Sequence, residues 1–498
     1  MELFCRPTAT CQSESVPVVA NPFASDLTSD RLSLLIGFMK PRILFFAFAL
    51  FAIASFALAT EPIDIGNRLE LFVDDHLIAE VDGDAGRQLL RPEPKEVVLV
   101  ADSSWEGNAS GYYTLFQDGD LYRMIYRGWQ IDDPKRTDWF PYATQATCYA
   151  ESTDGITWTK PNLGLIEWQG SKSNNIVRMG RGAHNFTAFR DGNPAAPAEA
   201  RYKALGTGDG LVAFQSPDCK TWKLIQKKGV ITNGDFDSQN LAFWDTDRKE
   251  YRAYWRYKTK DTKVRAIRTA TSKDFLTWEN EADLAYGDAP EQQLYTNAIQ
   301  KYFRAPHLFI GFPTRFVPYE GARVEPILMS GRDGVNFQRW NEPVIPESAP
   351  EDRKGNRSNY MAWGMFQLPG KPKEISVYAT ENYLESTPGR LRRFVYRVDG
   401  FVALRGGEKG GSATTKLLRH SGQQLLMNYV VRDGGSLMVE VLDKSGAVVG
   451  KSKPLTGDAV DEVVAWDQDP KLGASAVQLQ LKLRFALKDA DVFSIRFN

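Results

Sequence analysis

A serine, an aspartate and an aromatic residue recur at one spacing along the chain. The stretch ESTDGITW brings Ser152, Asp154 and Trp158 together, and a hydroxyl, a carboxylate and a ring on one turn could bind or activate a polar ligand. The pattern returns at Ser216, Asp218 and Trp222, at Ser272, Asp274 and Trp278, and more loosely at Asp333 and Phe337. Successive aspartates are 64, 56 and 59 residues apart, so the four copies cannot all face one ligand. We interpret them as structural turns, in which Asp and Ser bond the backbone and the aromatic ring packs between sheets.

Short runs rich in aromatic and β-branched residues surround these turns, as is typical of β-strands. Five pairs of runs follow one another, at 111–116 with 121–128, 184–189 with 201–206, 240–244 with 250–256, 296–303 with 307–312, and 360–366 with 374–380. Consecutive hairpins in a unit of about 60 residues indicate propeller blades. We therefore predict a five-bladed β-propeller at residues 64–400, in which ring closure hides the sheet edges.

The two ends of this region differ in pattern from the blades. The strand-like segment 66–80 precedes the first blade, and we expect it to close the ring against the last one. Its Asp74-Asp75 pair could form a carboxylate site or, alternatively, a capped turn or a solvated edge. Residues 477–485 alternate apolar and polar side chains, which predicts a half-buried antiparallel strand. Residues 402–498 are predicted to form a C-terminal β-sandwich, which makes the whole fold all-β.

The N-terminal region has the features of a secretory signal peptide. A basic start at Met39 leads into an apolar run at 43–58, which ends in the cleavage pattern Ala57-Leu58-Ala59. Residues 39–59 are thus predicted to direct export to the periplasm or the cell exterior. An uncleaved membrane anchor is the alternative, although the run is short for a span of about 20 residues. Residues 1–38 lack periodicity and are predicted to be a disordered extension or to precede the true start.

The amino-acid composition limits the classes of partner that the protein can bind. The 61 Lys and Arg residues balance 62 Asp and Glu residues, so we expect no nucleic-acid partner and, after signal cleavage, no membrane partner. No phosphate-binding loop, nucleophilic serine elbow or Cys/His metal cluster is present, so no cofactor is predicted, with a structural Ca²⁺ left open. Cys148 and Cys219 could pair if adjacent, but two small buried hydrophobic residues fit better. We expect a monomer.

A five-bladed propeller with Ser-x-Asp-Gly-x-x-Trp turns, followed by a β-sandwich on an exported chain, resembles the glycoside hydrolase family 32 and 43 group. The stretches LFVDDHLI and LKDADVFSIRF are similar to those of family-32-like secreted proteins of planctomycete bacteria, whose activity is undefined. The resemblance covers most of residues 64–498. The sequence lacks two motifs of family 32, the Trp-Met-Asn-Asp-Pro-Asn-Gly stretch and the Glu-Cys pair. It also has Gly192 after Arg190-Asp191, where family 32 has Pro.

The resemblance implies a carbohydrate substrate and catalytic acids near the starts of the inner strands, where the ends of the blades converge on a central funnel. The carboxylates predicted at this rim are Glu106, Asp237 and Glu291 at the starts of inner strands and Glu381 at the end of the second strand of its pair. The residues predicted to bind substrate are Asn108, His184, Asn185, Asn297, Arg127, Arg256, Arg315 and Asn359. The arginines among them would also suit an acidic or sulfated sugar, because guanidinium groups bind carboxylate and sulfate through paired donors.

The implied chemistry is hydrolysis of a glycosidic bond, which needs one protonated and one ionised carboxyl group. The hypothesis is therefore a secreted glycoside hydrolase acting on a poly- or oligosaccharide in the funnel. The alternative is a propeller that binds carbohydrate without catalysis, which the missing family 32 stretches favour. Asn108 and Asn185 also begin glycosylation sequons, which are short and often coincidental.

Overall fold

The computed structural model describes residues 61–131, 145–319, 322–346, 359–385, 387–473 and 480–498. The predicted N-terminal extension at 1–38 and the signal peptide at 39–59 lie outside these residues, as do positions 477–479 of the alternating C-terminal segment. Among the described residues almost all regular structure is β-strand, and a short 3₁₀ helix is present at Ala198–Ala200. None of the helices in this part of the chain is long and apolar enough to cross a membrane.

The repeated Ser-x-Asp turns are structural, as predicted. Asp154 Oδ1 accepts hydrogen bonds from the backbone N–H groups of Ile156 at 2.8 Å and Thr157 at 2.7 Å, and Ser152 Oγ accepts one from Gly155 at 2.9 Å. Asp218, Asp274 and Asp333 each accept the corresponding pair of backbone bonds at 2.8 and 2.7 Å. Each carboxylate therefore satisfies two donors that the tight turn would otherwise leave without partners.

These turns belong to the first four of five antiparallel sheets. Blade one contains β5 (Gly111–Asp118), β6 (Leu121–Gly128), β7 (Ala146–Ser152) and β8 (Ile176–Met179). Blade two contains β9 (Thr187–Arg190), β10 (Tyr202–Gly208), β11 (Gly210–Ser216) and β12 (Lys223–Leu224). Blade three contains β13 (Leu241–Asp245), β14 (Glu250–Lys258), β15 (Arg265–Ser272) and β16 (Glu279–Asp283). Blade four contains β17 (Gln300–Tyr302), β18 (Ala305–Gly311), β19 (Thr314–Val317), β20 (Arg323–Gly331) and β21 (Phe337–Pro343).

The fifth blade closes the ring with a strand from the beginning of the chain. It contains β22 (Glu374–Glu381), β23 (Arg390–Arg397) and β4 (Glu93–Val100), and bridges at Met361 and Phe366 add an inner edge next to β22. The prediction that residues 66–80 close the ring is therefore wrong. Local strand propensity identifies a strand but does not specify its partner, and it is β4 that pairs with β23.

Apolar clusters between neighbouring blades hold the ring together. Each blade shares one apolar cluster with the next blade along the chain, and blade five shares one with blade one. The aromatic residue of each repeated turn packs on the cluster shared with the preceding blade; these residues are Trp158, Trp222, Trp278 and Phe337. The interpretation of these rings as packing residues between sheets is confirmed, and the five-bladed propeller with it.

The C-terminal part is one curled sheet of ten strands, three of which come from residues 63–89, around its own apolar core, and the predicted all-β fold class is confirmed. Its strands are β1 (Ile63–Gly66), β2 (Glu70–Leu71), β3 (Ile78–Leu89), β24 (Val402–Thr415), β25 (Leu418–His420), β26 (Leu425–Leu442), β27 (Val448–Ser452), β28 (Asp458–Val463), β29 (Trp466–Gln468) and β30 (Gln480–Phe497). Within β30, Leu481, Leu483 and Phe485 are buried as the alternation predicts.

Buried ion pairs join this sheet to blade four. The Arg332 guanidinium donates to Glu70 at 2.9 Å and to Asp74 at 2.8 Å, and Asp74 also accepts the backbone N–H of His76. Burial would raise the pKa of Glu70, but the contact with His307 and the charge of Arg332 outweigh it and lower that pKa to about 2. Asp74 thus acts as a turn cap and ion-pair partner, the second of the two interpretations that its sequence allowed.

If the repeated turns fasten the blades, removing one carboxylate should destabilise the fold. We expect Asp154→Ala and Asp218→Ala each to lower the free energy of unfolding by about 1–3 kcal/mol, because two backbone donors lose their acceptor. Urea unfolding measures this. Asp120→Ala is the matched control, since its exposed side chain has no hydrogen-bond partner in the described part of the chain, and a loss as large there would contradict the assigned role.

Candidate functional site

The inner strands of the blades meet around the propeller axis. Thr114 pairs with Trp363 of blade five, and the indole of Trp363 donates to the backbone oxygen of Ile299 in blade four at 2.9 Å. The chain enters four of the inner strands through a residue with positive φ; these residues are Tyr112, Asn185, Ala298 and Asn359. Left-handed backbone at non-glycine positions is sparsely populated and tends to cluster at functional sites.

Asp237 lies in the loop before β13, and its carboxylate is 45% exposed. One oxygen is 3.2 Å from His184 Nε2, and the other is 3.9 Å from Arg256 Nη2. Arg256 is in turn held by the carboxylate of Asp235 at 3.1 Å. Desolvation would raise the pKa of Asp237, but the contact with His184 and the charge of Arg256 outweigh it and hold that pKa well below its usual range. Asp237 is therefore an ionised carboxylate open to a ligand.

His184 is buried between two acceptors. Its Nδ1 is 2.7 Å from Gln145 Oε1, its Nε2 faces Asp237, and the side-chain amide of Asn185 is 3.1 Å from Nε2. Gln145 Oε1 and the Asp237 carboxylate can each accept an N–H group from the ring, and the protonated ring donates to both. Burial lowers the pKa of His184, against the effect of Asp237, so the neutral ring predominates at neutral pH.

Arg127 reaches the same place from β6 without a carboxylate partner among the described residues. Its guanidinium donates to Asn185 Oδ1 at 3.0 Å, to the backbone oxygen of Ala109 at 3.0 Å and to the Tyr383 hydroxyl at 2.8 Å. The charged group lies 4.6 Å from the ring centroid of Tyr112. Neutral acceptors and ring faces thus compensate the burial of its charge.

Four tyrosines line the site around Asp237. Tyr360 packs on Tyr295 at 5.5 Å, on Tyr383 at 5.3 Å and on Tyr112 at 6.3 Å between ring centroids. Tyr295 and Tyr383 are only half-buried, and the Arg256 guanidinium covers Tyr295 at 4.8 Å. The site therefore combines aromatic faces with a carboxylate and two guanidinium groups, and it draws residues from all five blades.

The other three predicted carboxylates are engaged elsewhere. Glu106 is enclosed, with 0% of its side chain exposed, and binds Lys160 at 2.6 Å and the Tyr126 hydroxyl. Glu381 is equally enclosed between Arg390 and Arg392, each at 2.6 Å. Glu291 is exposed and accepts a hydrogen bond from Thr262 at 3.0 Å. The contacts bring only Asp237, of the four, together with the predicted polar residues.

The predicted binding residues divide in the same way. His184, Asn185, Arg127 and Arg256 belong to the Asp237 site. The other four make structural contacts: Asn108 donates to the backbone oxygens of Ile131 and Glu385, Asn297 to that of Gln239, and Asn359 to that of Val324, while Arg315 pairs with Glu325 at 2.5 Å. Asn108 and Asn185 are both buried, which leaves neither sequon accessible in the folded chain.

Sequence reasoning missed the tyrosines. Tyr112 and Tyr360 lie at the entrances of inner strands, whereas the prediction for these positions names only charged, amide and imidazole side chains. Their position at the start of an inner strand was a signal in the sequence, but aromatic residues are common throughout the strands and so did not stand out there. Cys148 and Cys219 are both buried free thiols, as the small-hydrophobe interpretation predicts. Within the described ranges no three His, Cys, Asp or Glu side chains cluster as metal ligands would, and the structural Ca²⁺ stays untested.

Comparison with known proteins yields only distant likenesses. No protein-family model matches the chain, and no curated protein sequence matches it significantly. The chain is similar to a solved structure of a glycoside hydrolase at 13% identity and TM-score 0.44, covering 62% of this chain and 92% of that one. It is also similar to an N-acetylgalactosamine deacetylase from F. plautii in complex with blood group B trisaccharide, at 12% identity and TM-score 0.43, covering 64% of this chain and 97% of that one. A third similar structure is a thermostable family-43 glycoside hydrolase, at 10% identity and TM-score 0.41, covering 59% of this chain and 91% of that one. Likeness this distant carries no information about activity, which has to come from the site itself.

The coupling between Asp237 and His184 has a measurable signature. We expect Asp237→Asn to shift the titration midpoint of His184 to a still lower pH, because the lost carboxylate favoured the protonated ring. NMR of the imidazole protons follows this, with the signal assigned by its loss in His184→Gln. Glu291→Gln is the matched control and should leave the midpoint unchanged. A midpoint that stays constant or rises in Asp237→Asn would show that the two groups do not interact.

Proposed function

We propose that the propeller funnel binds a saccharide. The observation that carries this proposal is the convergence, from all five blades, of a partly exposed ionised carboxylate with half-buried tyrosine rings and two guanidinium groups. Sugars present hydroxyl groups that suit charged hydrogen-bond partners, and apolar C–H faces that pack on aromatic rings. A concave site with aromatic walls and a few converging polar groups is the usual form of a small-molecule site.

Glycosidic hydrolysis is the second candidate, and the ionisation of Asp237 favours it. An ionised, oriented carboxylate is what the base or nucleophile of such a reaction requires. The reaction also needs a protonated carboxyl group, and Glu106, Glu381 and Glu291 do not contact the Asp237 site. Asp235 shares Arg256 with Asp237 but is engaged by Arg256 and Lys258. The described residues thus support binding more directly than hydrolysis.

Other parts of the proposal rest on the sequence alone. They are membership of the family 32 and 43 group, export through the segment at 39–59, and a monomeric state. A Ca²⁺ ion with a structural role is compatible with the proposal but is not required by it.

Binding is tested with a panel of poly- and oligosaccharides, including sulfated algal glycans, by calorimetry on the folded chain. For the saccharides that bind, we expect Asp237→Asn to weaken the affinity about tenfold, since it removes a charge-assisted acceptor at unchanged shape. Glu291→Gln should bind like the wild type. A panel without any ligand, or equal affinity for Asp237→Asn and the wild type, would contradict the proposed site.

Hydrolysis is tested by measuring product release from the saccharides that bind. If Asp237 is the base or nucleophile, Asp237→Asn should lower kcat at least about a hundredfold, and the thermal unfolding midpoint should stay close to that of the wild type. Saccharides that bind the wild type without being cleaved would decide for the binding function alone.

A further inference from the structure

A cavity opens on blade three. It has a volume of about 530 Å³ and lies between the loop at 233–235, the end of β14, and strands β15 and β16. Its charged and aromatic lining consists of Asp235, Tyr257, Lys258, Lys260, Arg268 and Asp283. We call it the blade-three pocket. It is open to solvent, and nothing in the proposed function uses it.

The blade-three pocket and the Asp237 site share one arginine, Arg256. Asp235 lines the pocket, and its carboxylate is 3.1 Å from Arg256 Nη2. The same nitrogen of Arg256 is 3.9 Å from Asp237. Two ion pairs through one guanidinium therefore link the pocket to the funnel carboxylate, so that one saccharide of several units is the ligand to consider for both places.

The fixed charges of the pocket are largely neutralised. Asp283 binds Arg268 at 2.5 Å, and Arg268 also pairs with Glu281 at 3.1 Å while it covers the Tyr257 ring at 4.1 Å. Asp235 is bound by the buried Arg256. Asp283 and Asp235 are thus both neutralised by arginines, and Arg268 is itself paired with carboxylates.

The two lysines are the charges that remain for a ligand. Lys258 is 49% exposed and lies 3.7 Å from Asp235, longer than a hydrogen bond. Lys260 is exposed and has no ion-pair partner among the described residues. By contrast, the arginines that the sequence offers for acidic sugars are buried or bound, as with Arg256 on Asp235 and Arg315 on Glu325. The cationic groups accessible next to the funnel are therefore ammonium groups of blade three.

We propose that the blade-three pocket is a subsite for a negatively charged sugar unit, carrying a carboxylate or a sulfate group, of the same saccharide that occupies the funnel. This inference rests on the proposed function and deepens it by naming the substrate class. Lys258 exchanges its loose contact with Asp235 for the anionic group, and Lys260 adds a second ammonium. A neutral unit at the same place would gain neither interaction.

The test uses oligouronates of defined length and their carboxyl-reduced counterparts, and sulfated oligosaccharides with their desulfated counterparts. We expect the wild type to bind the charged member of at least one pair about tenfold more tightly, and Lys258→Gln/Lys260→Gln to lose that preference. Raising the ionic strength should weaken the preference in the wild type only. The matched control is Lys273→Gln, whose side chain is 72% exposed and pairs with Glu250 at 3.2 Å, and it should keep the preference.

Equal binding of charged and neutral members by the wild type, or a preference that survives in the double lysine variant, would overturn the subsite. Asp237→Asn separates this failure from a failure of the proposed function. If Asp237→Asn weakens the binding of both members of a pair while the double lysine variant changes nothing, the result supports the funnel as the binding site and contradicts only the proposed subsite. If Asp237→Asn has no effect on any saccharide, the proposed function itself is wrong.

Discussion

The backbone hydrogen bonds between β4 and β23 are the interaction on which the site depends. They join Glu93–Val100, near the start of the described chain, to Arg390–Arg397 at the end of the last blade, and so turn a row of sheets into a ring. Closure buries the apolar cluster shared by blades five and one. It also brings Tyr360 and Tyr383 of blade five against Tyr112 and Arg127 of blade one. Without it blade five would no longer be held against blade one, and β23 would expose an unpaired edge.

Burial then decides which polar groups remain for a ligand. A carboxylate that is fully enclosed must be paired, and Glu106 and Glu381 satisfy that requirement through Lys160 and two arginines. Asp237 also has cationic neighbours, yet it keeps nearly half of its side-chain surface exposed. The difference separates structural carboxylates from a candidate functional one better than position along the inner strand does.

The sequence predicted the architecture well because the repeat is local. A Ser-x-Asp turn forms its hydrogen bonds within a few residues, so its recurrence counts the blades without knowledge of their packing. The closing strand was missed because pairing across some 300 residues leaves no local pattern. The site was predicted in part for the same reason. The entrances of the inner strands located Asp237, His184 and Asn185, and the ends of the second strands located Arg127 and Arg256. Whether a carboxylate is enclosed by cations or open to the funnel depends on contacts between distant segments.

The most direct test of the saccharide site is a crystal structure of the protein with a saccharide selected by its affinity. We expect a sugar ring against Tyr295 and Tyr383, with a hydroxyl group within hydrogen-bond distance of Asp237. A saccharide bound only outside the funnel, for example on the C-terminal sheet, while Asp237 and the tyrosines contact no ligand, would contradict the assignment.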